Sequence, residues 1–141
     1  MFRSVLYFVL VILAFGSCRK DVGEVNFGNY PGQVGKLITT KCASSGCHNE
    51  KSYKAAAGLN LTTWDDLFAG SNSGLSVIPY SSKFSYLCYF INTYPDLGGM
   101  NNPTMPINSA PLSRDEVMLI NNWINNGAPN ANGNVKWAND P

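Results

Sequence analysis

Between residues 32 and 129 the apolar positions recur at the three- and four-residue steps of a helix, and no stretch keeps the strict alternation of a strand. Val34, Leu37 and Ile38 fall at i, i+3 and i+4 between the Pro31-Gly32 break and Cys42, which predicts a short amphipathic helix delivering its carboxyl end to that cysteine. Thr63, three residues before Asp66, is placed to cap a brief helix carrying Trp64, Leu67 and Phe68. Gly70 to Gly74 reads as a turn-rich loop. After Pro79, Ser82 is placed to cap a helix whose apolar face holds Phe84, Leu87, Cys88 and Ile91, which makes Cys88 a small core residue. From Asn92 to Ala110 the Pro, Gly and Asn residues break any regular element. Ser113 and Glu116 then form a capping box ahead of Val117, Ile120, Trp123 and Ile124, and Gly127 and Pro129 end that helix. No repeat of solenoid length is present. The pattern predicts an all-α domain.

The amino terminus has a different pattern. Arg3 precedes an unbroken apolar run from Val5 to Phe15, followed by Gly16-Ser17-Cys18, the layout of a secretory signal with small residues before a cleavage point. A run of about eleven residues is too short for a bilayer that needs about twenty. Gly16-Ser17-Cys18 resembles a bacterial lipoprotein box, which implies cleavage before Cys18 and lipid on its thiol and new amino group. The resulting organisation is a signal peptide over 1–17, a Gly- and Asn-rich lipidated tether over 18–31, one domain over 32–129 and an Asn-rich tail over 130–141, from which Trp137 docks. This places the domain outside the cytoplasm, anchored to a bacterial membrane in the periplasm or at the cell surface.

Only 13% of the 141 residues are charged and the net charge is +1, so there is no basic field for a nucleic-acid partner. No Ser-His-Asp order, paired-acid spacing, phosphate loop or zinc-protease signature occurs, and the chain is not read as an enzyme. The chemistry is concentrated instead in Lys41-Cys42-Ala43-Ser44-Ser45-Gly46-Cys47-His48, which contains the only histidine. It is a stretched form of C-x-x-C-H, in which two thiols add to the haem vinyl groups and the adjacent imidazole binds the iron. The two extra residues can be accommodated if Ala43 to Gly46 bulge outward, since all four are small.

A second axial ligand has two candidates, Met100 and Met105. Met105 is favoured because Pro103 and Pro106 stiffen its loop, whereas Met100 follows Gly98-Gly99. A His/Met pair raises the reduction potential, and a closed six-coordinate iron favours a carrier over oxygen chemistry. Tyr80, Tyr86, Tyr89 and Tyr94 are candidates to hydrogen-bond the haem propionates. Two rival uses of the same residues stand beside this reading. One is a Cys42–Cys47 disulfide stapling a haem-free, extracytoplasmic binding or scaffolding module, with Trp64, Phe84, Leu87 and Trp123 as its core. The other is a zinc site of Cys42, Cys47, His48 and Cys88.

The Cys42–His48 cluster, Gly58-Leu59-Asn60-Leu61, Ser85-Tyr86-Leu87, Met105-Pro106 and Ile120 to Ala128 resemble, in this order, the landmarks of small cytochrome c-like domains found in Bacteroidetes lipoproteins and in larger planctomycete proteins. The resemblance covers nearly all of residues 32–128. It implies a helical cytochrome c-like domain around one covalent haem c, with Cys42 and Cys47 bonded to the porphyrin, His48 proximal and Met105 distal. It also implies a membrane-anchored one-electron carrier whose partners are redox proteins.

Overall fold

The computed structural model describes residues 25–137, so the signal peptide, Cys18 and the end of the tail lie outside the described residues. Among the described residues four α-helices form: α1 over Gly32–Lys41, α2 over Trp64–Ala69, α3 over Tyr86–Ile91 and α4 over Arg114–Asn125. Short 3₁₀ turns occupy Tyr53–Ala55, Ser82–Phe84 and Pro95–Leu97. There is no strand among the described residues, and the class is all-α. None of the described helices is long and apolar enough to cross a membrane.

Helix α4 is the hub. Its buried positions are Val117, Ile120, Trp123 and Ile124, the set its periodicity predicts, and α1, α3 and the Ser82–Phe84 turn all pack against it. Both of its ends are closed by local chemistry. At the start, the Ser113 hydroxyl accepts the Glu116 N–H (3.3 Å) while the Glu116 carboxylate accepts the Ser113 N–H (2.8 Å), which completes the capping box. At the end, the Gly127 N–H reaches the Ile124 carbonyl and the Ala128 N–H the Trp123 carbonyl, both at 2.9 Å, a Schellman motif with Gly127 at φ +96°. Replacing Ser113 by Ala is expected to lower stability by about 1 kcal/mol, read as a drop in the urea midpoint at unchanged slope.

The core aromatics keep their polar ends satisfied. Trp64 Nε1 donates to the Ala128 carbonyl and Trp123 Nε1 to the Pro129 carbonyl, both at 2.9 Å. The Tyr30 hydroxyl donates to the Thr63 carbonyl at 2.9 Å, and burial pushes its pKa up, so it remains a donor. Tyr30 corrects the expected boundary of the tether. It is only 2% exposed and its ring meets Trp123 edge-on at 6.1 Å, so the domain begins before residue 32. The Gly28 carbonyl accepts the Trp64 N–H and the Asn29 carbonyl accepts the Ala131 N–H, which ties the chain's entry to the segment after α4. Trp137 docks as an edge on Phe68, with ring centroids 5.4 Å apart.

The middle helix differs from the sequence expectation. A single helix from Ser82 would bury Phe84, yet Phe84 is 63% exposed. Ser85 interrupts the helix with extended backbone, because its side chain is spent inside the fold. The Ser85 hydroxyl accepts the Ile78 N–H (2.9 Å) and donates to the Ser81 carbonyl (2.8 Å). The helical phase restarts at Tyr86, which preserves Leu87, Cys88 and Ile91 as a buried face and leaves Phe84 outside it.

Candidate functional site

Helix α1 ends where Cys42 begins the cluster. The N–H groups of Cys42 and Ala43 both reach the Ile38 carbonyl at 2.9 Å, which closes the last turn. The chain then makes a tight loop. The Cys47 N–H donates to the Ser44 carbonyl and the His48 N–H returns to the Cys42 carbonyl, each at 3.1 Å, so the backbone at the two ends of the cluster is hydrogen-bonded together. Ser45 and Gly46 project into solvent, and Gly46 takes the left-handed backbone that the turn requires, φ +80°. Two side chains brace the loop from behind. Asn49 Nδ2 donates to the Ser44 carbonyl and the Ser52 hydroxyl to the Cys47 carbonyl, both at 2.6 Å.

His48 is oriented by a single backbone acceptor. Its Nδ1 lies 3.0 Å from the Leu59 carbonyl. A carbonyl only accepts, so this contact puts the proton on Nδ1 and leaves the Nε2 lone pair available as a ligand. The Leu59 segment is held in turn by its neighbours, since the Leu61 N–H donates to the His48 carbonyl at 2.8 Å and the Leu59 N–H to the Ala56 carbonyl at 3.1 Å. The Gly58-Leu59-Asn60-Leu61 stretch is thus the strap that fixes the imidazole.

Cys42 and Cys47 are both half-buried free thiols. Burial pushes the Cys42 thiol up to about 11, and the neighbouring Cys47 adds to the shift while Lys41 opposes it. Cys42 is therefore kept as a neutral thiol, a poor disulfide-exchange nucleophile. Cys88 is buried in the face of α3, where burial pushes its thiol up to about 12. It is a core residue, and the zinc quartet does not assemble. Among the described residues no three His, Cys, Asp or Glu side chains converge as metal ligands.

Met105 is half-buried against the same core cluster on which Cys42, Ala43 and Leu59 lean. Its loop is stitched to α3, with the Met105 N–H on the Phe90 carbonyl at 2.7 Å and the Asn101 N–H on the Tyr89 carbonyl at 2.8 Å. Met100 is 51% exposed and is not packed on this cluster. Of the four tyrosines, Tyr89 and Tyr94 donate their hydroxyls to the carbonyls of Lys83 and Leu112, whereas Tyr80 and Tyr86 are exposed.

Two further groups organise the site through contacts that the sequence does not show. Asn92 is 1% exposed, and its amide donates to the carbonyls of Gly98 and Gly99 (3.1 and 3.2 Å) while its oxygen accepts the Tyr94 N–H at 2.9 Å. It clamps the start of the methionine loop. The only cue was an Asn at a helix end followed by a Gly pair. Glu116 is the second. Beyond its role in the cap it meets Lys41 Nζ at 2.7 Å, joining the residue before Cys42 to the start of α4.

Lys41, with the Ser113 hydrogen bonds beside it, holds the Glu116 carboxyl below its usual range. The unfolded chain thus binds the proton more readily than the folded one, so the stabilisation is complete above the ordinary carboxyl pKa and is lost as pH falls through the depressed value. Glu116→Gln is expected to cost about 1 kcal/mol at neutral pH, with the gap to wild type closing in acid. Urea midpoints measured across that range check it. No family model matches the chain, and no match was found among curated proteins or solved structures.

Proposed function

We propose that this protein is a lipid-anchored c-type cytochrome, an extracytoplasmic one-electron carrier with a single covalent haem c. The observation that carries the reading is the His48 Nδ1 contact to the Leu59 carbonyl, made beside two free thiols on one short loop. A lone exposed histidine has no need of a fixed tautomer. One whose Nε2 must bind a metal does, and a carbonyl on the other nitrogen both orients the ring and raises its basicity.

The donor set suits the group. Cys42 and Cys47 are unpaired and available for thioether bonds, and the bulged Ser45-Gly46 turn takes up the two residues that separate this cluster from C-x-x-C-H. His48 supplies an imidazole nitrogen, and Met105 a thioether from a loop fastened to α3. Haem c, when bound, supplies a reversible ferric–ferrous couple. The chain's own contribution is to hold both residues on anchored backbone and to pack Met105, with Cys42 and Leu59, against the apolar core. His48 and Met105 would be the residues that hold the iron, and an imidazole and thioether pair would favour the reduced form and electron transfer over oxygen chemistry. The anchor belongs to the same proposal, with Cys18 as the lipidated residue and redox proteins as partners.

The test is an absorption spectrum of protein purified from cells that attach haem to exported proteins. A Soret band that survives acid-acetone extraction is expected, because only covalent haem resists it. A colourless protein, or a band lost on extraction, refutes the assignment.

A further inference from the structure

Residues 78–86 form a knuckle that the proposed electron carrier does not use. Its backbone is cross-tied by the Ser81 N–H to the Ile78 carbonyl (3.1 Å), the Phe84 N–H to the Ser81 carbonyl (3.3 Å) and the buried Ser85 hydroxyl. On this rigid base stand Ile78, Tyr80, Phe84 and Tyr86, between 39% and 63% exposed. Tyr80 sits at φ +63°, a conformation that a bulky residue adopts only at a cost, with its N–H on the Ile124 carbonyl at 2.8 Å. Gly or Asn would fit that backbone with less strain, so the aromatic ring is maintained there against a local penalty. The only charge on the knuckle is Lys83, whose ammonium lies 5.6 Å from the centroid of the Phe84 ring. No Asp or Glu occurs between Asp66 and Asp96.

The place of the knuckle in the fold indicates what covers it. Tyr80 lies against Gly127, at the carboxyl end of α4. The chain's entry is fastened to the same end, through the Asn29 carbonyl on the Ala131 N–H. Six residues separate Cys18 from Val25, the first described residue, and the seven steps between them span at most about 25 Å when fully extended. A domain tethered that closely at Cys18 can turn this end of α4 towards the bilayer. Exposed Tyr and Phe rings with a lysine and no carboxylate suit the headgroup layer of an anionic membrane.

We infer that the Ile78–Tyr86 knuckle is a membrane-docking surface, which inserts Tyr80 and Phe84 among anionic lipid headgroups and orients the domain. This rests on the lipid-anchor reading. Docking so disposed carries the opposite end of α4, where Glu116 holds Lys41 beside Cys42, up to about 18 Å further from the bilayer, since α4 has 12 residues. The thiol–imidazole loop is then presented to soluble partners instead of lipid.

The test uses the full processed protein in vesicles of phosphatidylglycerol and phosphatidylethanolamine with brominated acyl chains. Phe84→Trp is expected to emit about twofold less there than in unbrominated vesicles, relative to wild type, while Met118→Trp, near the other end of α4, is unchanged. Equal quenching of both, or of neither, overturns the inference and leaves the knuckle as a protein-binding surface. Intact mass separately reports acyl chains on Cys18. If there are none, the anchor reading fails, and docking is decided by co-sedimentation of the same protein with these vesicles. Binding lost in Tyr80→Ser/Phe84→Ser supports it, and binding unchanged by that pair overturns it.

Discussion

Trp64→Ala is expected to lower stability by about 3–5 kcal/mol, the largest loss of any single substitution considered for this fold. Trp64 is almost fully buried, its ring lies 4.8 Å from that of Phe68, and its Nε1 supplies the hydrogen bond to the Ala128 carbonyl. Truncation therefore combines a large cavity with a buried acceptor left unpaired, and the second part alone is worth about 1–3 kcal/mol. Against a typical domain stability of about 5–15 kcal/mol this is a large fraction of the whole. Trp64→Phe separates the two contributions, since it retains most of the volume and loses only the donor, with an expected cost nearer the orphaned carbonyl alone. Urea unfolding of both variants checks the prediction. A loss below about 1 kcal/mol for the alanine variant would show that the Gly28–Trp64–Ala128 junction is not what closes the core.

Met105→Ala is expected to convert a low-spin absorption spectrum to a high-spin one, because the thioether is the sixth ligand in the proposed site. Met100→Ala serves as the contrast. Its side chain is 51% exposed and lies off the cluster that Met105 joins, so its spectrum should match that of wild type. The reverse pattern would move the ligand to Met100, and no change in either variant would refute methionine ligation. The expected contrast between the two residues rests on position rather than flexibility. Asn92 pins the Gly98-Gly99 pair and the Phe90 carbonyl pins Met105, so both ends of the loop are held.

How much of this was legible in the sequence depends on whether the determining interaction is local. Helix α4 was readable from end to end because its capping box, its apolar stripe and its Gly127 stop all act within a few residues of one another. Helix α2 was readable for the same reason, through the Thr63 hydroxyl on the Asp66 N–H. Phe84 was misplaced because the competing interaction is the turn between Ile78 and Ser85, which periodicity does not register. Tyr30 looked like tether because it lies among Gly and Asn residues, and its burial depends on Thr63 and Trp123, distant in the chain. At the site, the residue types and their spacing were visible, as was the bulge-tolerant composition of Ala43 to Gly46. The Leu59 carbonyl that fixes His48 was not, since a backbone acceptor has no sequence signature. Glu116 shows the same limit. Its cap was evident from Ser113, but its pairing with Lys41 joins two elements whose contact only the fold supplies.

Intact mass of the purified protein under denaturing conditions decides whether Cys42, Cys47 and His48 form the proposed covalent haem site. A mass several hundred daltons above that of the processed chain with its acyl groups is expected, and the increment is lost when Cys42 and Cys47 are both replaced by Ser. A mass about two hydrogens below the reduced chain, restored by a reductant, would instead reveal a Cys42–Cys47 disulfide and contradict it.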